Sequence, residues 1–116
     1  MNKNLKLVVN NISKDENERY FFEKKELKVI LDLYAKMVSE GSWKDYGLSI
    51  SSKQISFIVF KHAAENAMYK ICKNSKPSNK NLKYFTSDSH GNILNISKNL
   101  EELLYKTRFK KLKLVN

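Results

Sequence analysis

The stretch Tyr46–Lys61, YGLSISSKQISFIVFK, decides the fold. Leu48 and Ile50 stand two apart, Ser52-Lys53 interrupts, and Ile55, Phe57 and Val59 resume the same spacing, with Ile58 and Phe60 between them. A period of two puts alternate side chains on opposite faces of a pleated strand. Two strands are therefore predicted, Tyr46–Ser51 and Gln54–Lys61. Ser52-Lys53 is room for a tight turn only, although it lacks the glycine such turns favour. The pair must be antiparallel, because a parallel crossover needs about a dozen residues or more. Apolar residues on both faces place the second strand inside a sheet.

Working outward toward the C-terminus, a third strand is predicted over Ala67–Lys73, where Tyr69 and Ile71 alternate with Lys70 and Cys72. Asn74–Asn81, rich in Ser, Asn and Lys and holding the single proline Pro77, reads as a loop. Strands Leu82–Ser87 and Asn92–Ile96 flank Asp88-Ser89-His90-Gly91, a hairpin turn in which glycine supplies a positive φ. A helix follows from Ser97 or Asn99 to between Lys106 and Phe109. Asn99 and Glu102 have capping-box spacing, and Leu100, Leu103 and Leu104 form the buried stripe. The tail Lys111–Val115 alternates like a short last strand.

Toward the N-terminus, Leu27, Ile30, Leu31, Tyr34 and Val38 fall on one helical stripe that Leu33 and Met37 widen. This predicts a helix over about residues 24–40, entered through Tyr20-Phe21-Phe22 and stopped by Gly41. Glu23 and Glu26 have capping-box spacing. Residues 1–19 read as a polar extension around Leu5–Val9. The sum is an α+β fold in one globular domain, residues 20–116: two layers, an antiparallel sheet of about five strands, and two helices on one face.

At 116 residues, 41% of them apolar, the chain suffices for one core without staples. Its single cysteine, Cys72, permits no intrachain disulfide and fits a reducing cytoplasm. No apolar run approaches the roughly 20 residues of a membrane-spanning helix. The net charge is +10, supplied almost wholly by lysine. An AT-rich genome enriches lysine and asparagine without selection on function, so the distribution says more than the total. Residues 1–50 carry nine basic and eight acidic side chains; residues 51–116 carry thirteen and four.

Taken together, Glu26-Leu27, Ile30-Leu31, Tyr34, Met37-Val38, Gly41, Trp43-Lys44-Asp45-Tyr46, Phe57, Val59-Phe60-Lys61 and Tyr69-Lys70-Ile71 resemble a small alphaproteobacterial family, domain of unknown function 2794. The resemblance spans about residues 20–115. It implies no reaction, cofactor or active site. The chain departs from the family pattern with Glu23 in place of aspartate, with lysine in place of arginine at Lys44, Lys61 and Lys70, and with Cys72 in place of an acidic residue.

Candidate sites are few. Cys72 has His62 and His90 as conceivable bases, but it lies in a strand without an activating motif and reads as a structural thiol. One cysteine and two histidines show no metal-ligand spacing, and Gly41, Gly47 and Gly91 are isolated rather than grouped in a phosphate cradle. No catalytic residue, metal or cofactor is assigned. Trp43, Asp45, Tyr46 and His62 are a candidate recognition surface or pocket, set against a plain plug between helix and sheet. The leading candidates are basic: Lys61, Lys70, Lys73, Lys76, Lys80, Lys83, Arg108, Lys110 and Lys111, with Lys106 and Lys113 nearby and Tyr69, Tyr84, Phe85 and Phe109 interleaved. The expectation is a binding module that contacts an anionic partner, nucleic acid ahead of an acidic protein. The alternative is a self-associating protein, a homodimer that pairs edge strands at Leu5–Val9 and Leu112–Val115.

Overall fold

The computed structural model describes residues 21–61 and 67–109. Helix α1 (Lys24–Ser39) leads into strands β1 (Asp45–Ile50), β2 (Gln54–Phe60) and β3 (Tyr69–Asn74). A 3-10 turn (Lys80–Leu82) precedes β4 (Tyr84–Asp88) and β5 (Ile93–Ser97), and helix α2 (Leu100–Thr107) closes the order. The five strands form one antiparallel meander in the order β1-β2-β3-β4-β5. The predicted α+β architecture is the observed one.

Register divides the sheet into two faces. Leu48 lies opposite Phe57, Phe57 opposite Ile71, and Ile71 opposite Thr86, so these side chains share a face. That face carries both helices. Ile30 and Met37 of α1 and Leu100 and Leu103 of α2 join Phe57, Val59, Ile71 and Tyr84 in one core, with Trp43 from the α1–β1 connection. The outer face carries Ser56, Ile58, Lys70, Cys72 and Phe85.

Local signals explain the boundaries. Gly41 takes φ +79° and donates to the Val38 carbonyl at 2.9 Å, while Ser42 donates to Met37, which stops α1 where predicted. At the other end, Glu26 Oε1 accepts from Glu23 N–H at 2.7 Å. In the β4–β5 turn, Asp88 Oδ1 accepts from the N–H groups of His90 and Asn92, both at 2.9 Å, and Gly91 takes φ +84°. β4 begins at Tyr84 rather than Leu82. Asn79 Oδ1 accepts from Asn81 N–H at 2.9 Å and diverts the chain into the 3-10 turn first. β3 begins at Tyr69 rather than Ala67.

Both helices run the same way. α1 starts beside Lys73 and Tyr84 and ends at Trp43; α2 starts after Ser97, which pairs with Tyr84, and ends near Phe109 against Trp43 and Tyr69. Their N-termini therefore lie at one end of the sheet, with the β1–β2 turn and the β3–β4 loop. That loop is tied down at its root, because Ser75 N–H donates to Lys53 O at 2.9 Å and Ser75 Oγ to Ser52 O at 2.8 Å.

Asn99 Oδ1 caps α2 by accepting from Glu102 N–H at 2.9 Å. Replacing Asn99 with alanine is expected to lower the unfolding free energy by about 1 kcal/mol in urea denaturation, the ordinary worth of such a cap.

Candidate functional site

At this loop end the sheet and the two helices enclose a cleft of about 380 Å³, lined by residues from three parts of the chain. Glu23, Lys25, Glu26 and Val29 come from the start of α1, Lys83 and Tyr84 from the start of β4, and Lys98 to Glu101 from the start of α2. Below it lies a polar cluster. Lys73 is only 1% exposed and Glu26 5%. Lys73 Nζ donates to Glu26 Oε1 at 2.8 Å and to the Phe21 carbonyl at 3.0 Å, and the Tyr84 hydroxyl donates to Glu26 Oε2.

Burial alone would push the Glu26 carboxyl up, but hydrogen bonds from Lys73, Tyr84 and the Glu23 N–H together hold it below its ordinary value of 4.5. Burial and the bond to Glu26 push the Tyr84 phenol well above its usual range. Tyr84 thus stays protonated and Glu26 ionised at neutral pH. Each is committed to the other or to Lys73, so the cluster holds its charge within the protein. The groups left at the rim are Lys25, Lys83 and Lys98 together with the carboxylates of Glu23 and Glu101. Lys83 Nζ sits 5.3 Å from the centre of the Tyr84 ring. Lys25, Lys83 and Lys98 have no carboxylate within ion-pair distance among the described residues, although Glu23 and Glu101 share the rim.

The predicted basic residues do not form one patch. Lys73 is a correction: it lies in the core on the face of Tyr69 and Ile71, and cannot contact an external phosphate. Lys76 and Lys80 are exposed on the β3–β4 loop beside Lys83, at the cleft end. Lys61 and Arg108 lie at the opposite end, Lys61 just after β2 and Arg108 just after α2. Lys70 is exposed on the outer face. Lys106 Nζ donates to the Ile96 carbonyl at 3.0 Å. Lys110, Lys111, Lys113 and His62 lie outside the described residues, as do Leu5–Val9 and Leu112–Val115.

The aromatic block is divided too. Trp43 is 2% exposed and packs edge-on to Phe109 and beside Tyr34 and Tyr69, so it plugs the core and offers no recognition surface. Tyr46 is 44% exposed and stacks on Phe57 at 4.8 Å. Asp45 is exposed and bonds the Tyr46 N–H. Cys72 is 1% exposed beside Ser56 Oγ at 3.2 Å; burial pushes its thiol up against the opposing pull of Ser56 and Lys70. Among the described residues no three His, Cys, Asp or Glu side chains gather as a metal site, and no helix is long and apolar enough to cross a membrane.

Lys25 and Lys98 were missed by sequence reading, as was the burial of Glu26 and Tyr84. Lys25 belongs to the charge-balanced half of the chain, and Lys98 stands alone before a helix cap. Only the meander brings them to Lys83.

Glu26→Gln and Lys73→Ala should each cost about 3–5 kcal/mol, because either leaves a buried charge without its partner. Glu26→Leu combined with Lys73→Met should cost less than either single change. The sign with pH follows from the lowered Glu26 value. Its stabilisation is complete above its unfolded value of 4.5 and is lost as pH falls through the lower folded value. The stability gap between wild type and Glu26→Gln, measured by denaturant titration, should be constant near neutrality and close in acid.

No curated protein matches this chain, and no solved structure matches it. Residues 20–104 match the family described as "Protein of unknown function (DUF2794)", a span that takes in α1, the whole sheet and the first half of α2. The chain belongs to that family.

Proposed function

We propose that the protein is a binding module whose loop end contacts an anionic partner, with nucleic acid as the first candidate. The observation that carries this reading is the convergence of Lys25, Lys83 and Lys98 on one cleft from three separate chain segments. Exposed Lys53, Lys76 and Lys80 extend the same end of the sheet on the adjoining turn and loop. Both helices also direct the positive ends of their dipoles there, which adds to the field of the lysines. Lys73 contributes nothing, since its charge is consumed by Glu26.

The spread of the cations favours a chain of phosphates over a single small anion. Lysine acts as a point charge without the planar fork by which arginine reads one phosphate or base edge. Binding of this kind follows the phosphate backbone, tolerates sequence variation and weakens steeply with salt.

A mobility-shift titration with single-stranded and double-stranded oligonucleotides at two salt concentrations tests the proposal. The full chain should bind at low salt. Replacing Lys25, Lys83 and Lys98 together with alanine should lower the slope of log affinity against log salt by about 2–3. Lys61→Ala and Arg108→Ala, at the far end, should change it little. No shift at low salt, or equal loss from the far-end variants, rejects this reading.

A further inference from the structure

The cleft at the loop end carries carboxylates as well as ammonium groups. Lys25, Lys83 and Lys98 line it together with Glu23 and Glu101. A surface that only follows phosphates gains nothing from carboxylates, which repel each phosphate that passes. The two carboxylates differ in what they already do. Glu23 is half-buried at the N-cap of α1, where a negative charge serves the helix start. Glu101 is exposed in the first turn of α2, and that turn is already served. Asn99 Oδ1 caps it, and Glu102 accepts from the Ser97 hydroxyl at 3.0 Å. Among the described residues Glu101 has neither an ion-pair nor a hydrogen-bond partner.

Between the charged groups the walls are apolar. Val29 from α1 and Leu100 from α2 line the cleft, and Tyr84, 5% exposed, closes it below. Its volume of about 380 Å³ stands at the lower end of the roughly 300–1,000 Å³ of small-molecule sites. That is room for one nucleotide and too little for the end of a duplex.

One nucleotide of a strand has the matching parts. Its flanking phosphates suit the lysines, the faces of its base suit Val29 and Leu100, and its polar edge meets Glu101. That edge must then present donors. Guanine offers two side by side, a ring N–H and an exocyclic amine, which match both oxygens of one carboxylate. Adenine and cytosine offer an amine beside a ring acceptor. Thymine and uracil set a carbonyl on each side of a single N–H and are repelled. We infer that the cleft receives one unpaired guanine of a nucleic-acid strand, its two donors on Glu101 and its neighbouring phosphates on Lys25, Lys83 and Lys98. The inference rests on the anion-binding reading and adds one read position to it: the phosphate contacts accept any sequence, and the cleft does not. A guanine within a duplex gains nothing, because pairing occupies the same edge.

Fluorescence anisotropy of the full chain with labelled oligothymidylate at low salt tests it. The same strand is compared with guanine, inosine or thymine at one central position. Guanine should bind about tenfold tighter than thymine, the ordinary return of one bidentate contact to a base. Inosine keeps the ring N–H but lacks the amine, and should lose most of that gain. Glu101→Gln should bring the guanine-to-thymine ratio to about one, with an unchanged thermal melt showing that the fold survives. Equal binding of the guanine and thymine strands overturns the inference, as does a ratio indifferent to Glu101→Gln; salt-dependent binding in either case leaves the anion-binding reading standing. No binding to any strand removes both. Inosine equal to guanine overturns the two-donor contact. Guanosine monophosphate bound as tightly as the guanine-bearing strand overturns the strand as ligand.

Discussion

A lysine ammonium taken out of water needs compensation on nearly all sides, and the surroundings of Lys73 are arranged around that need. Its side chain points from the middle of the sheet into the layer of helices, where Glu26 and the Phe21 carbonyl receive it. Tyr84 occupies the other Glu26 oxygen. To supply that carboxylate, α1 is rolled relative to its apolar stripe. Glu26, Ile30 and Met37 are the residues buried, while Leu27, Leu31 and Tyr34 are partly covered and Val38 is 38% exposed. One ion pair thus sets the height and rotation of α1, and through them the position of Lys25 beside Lys83.

The basic bias of the second half of the chain is a poor guide to the surface. Lys73 is spent internally and Lys106 bonds β5, while Lys61, Lys70 and Arg108 point to other sides of the molecule. What remains concentrated is the loop end, and it draws on Lys25 from the charge-balanced half. Compactness in sequence and compactness in space diverge here because a meander sends its turns alternately to opposite ends. Lysines one strand apart are thereby separated by the length of the sheet.

Much of the fold was legible because local chemistry and tertiary need agree in it. Period-two runs gave the strands, Gly41 and Gly91 occupy the positive-φ positions their turns require, and Asn99 caps the helix it precedes. The burial of Lys73 was legible as well. Its parity with Tyr69 and Ile71 directs it inward, and only the habit of assigning lysine to solvent hid this. Glu26 was harder, because its capping-box spacing accounts for it without burial. The 3-10 turn is held by the Asn79 side chain together with short-range backbone bonds and the Asn74 amide on the Leu82 carbonyl, and the cleft depends on contacts between segments that no local pattern encodes.

The meander also ranks the order in which the molecule assembles. Each strand pairs with its immediate neighbour in sequence, so loop-closure entropy is small for every hairpin and the sheet can grow one strand at a time. The contacts that seat the first helix are of another kind, for Glu26 meets Lys73 and Tyr84 from 47 and 58 residues away. On a ribosome α1 emerges early and its anchors late. Until β3 and β4 have been synthesised, the nascent α1 holds its carboxylate without the two side chains that receive it, which makes that interval the one in which a chaperone has most to shield.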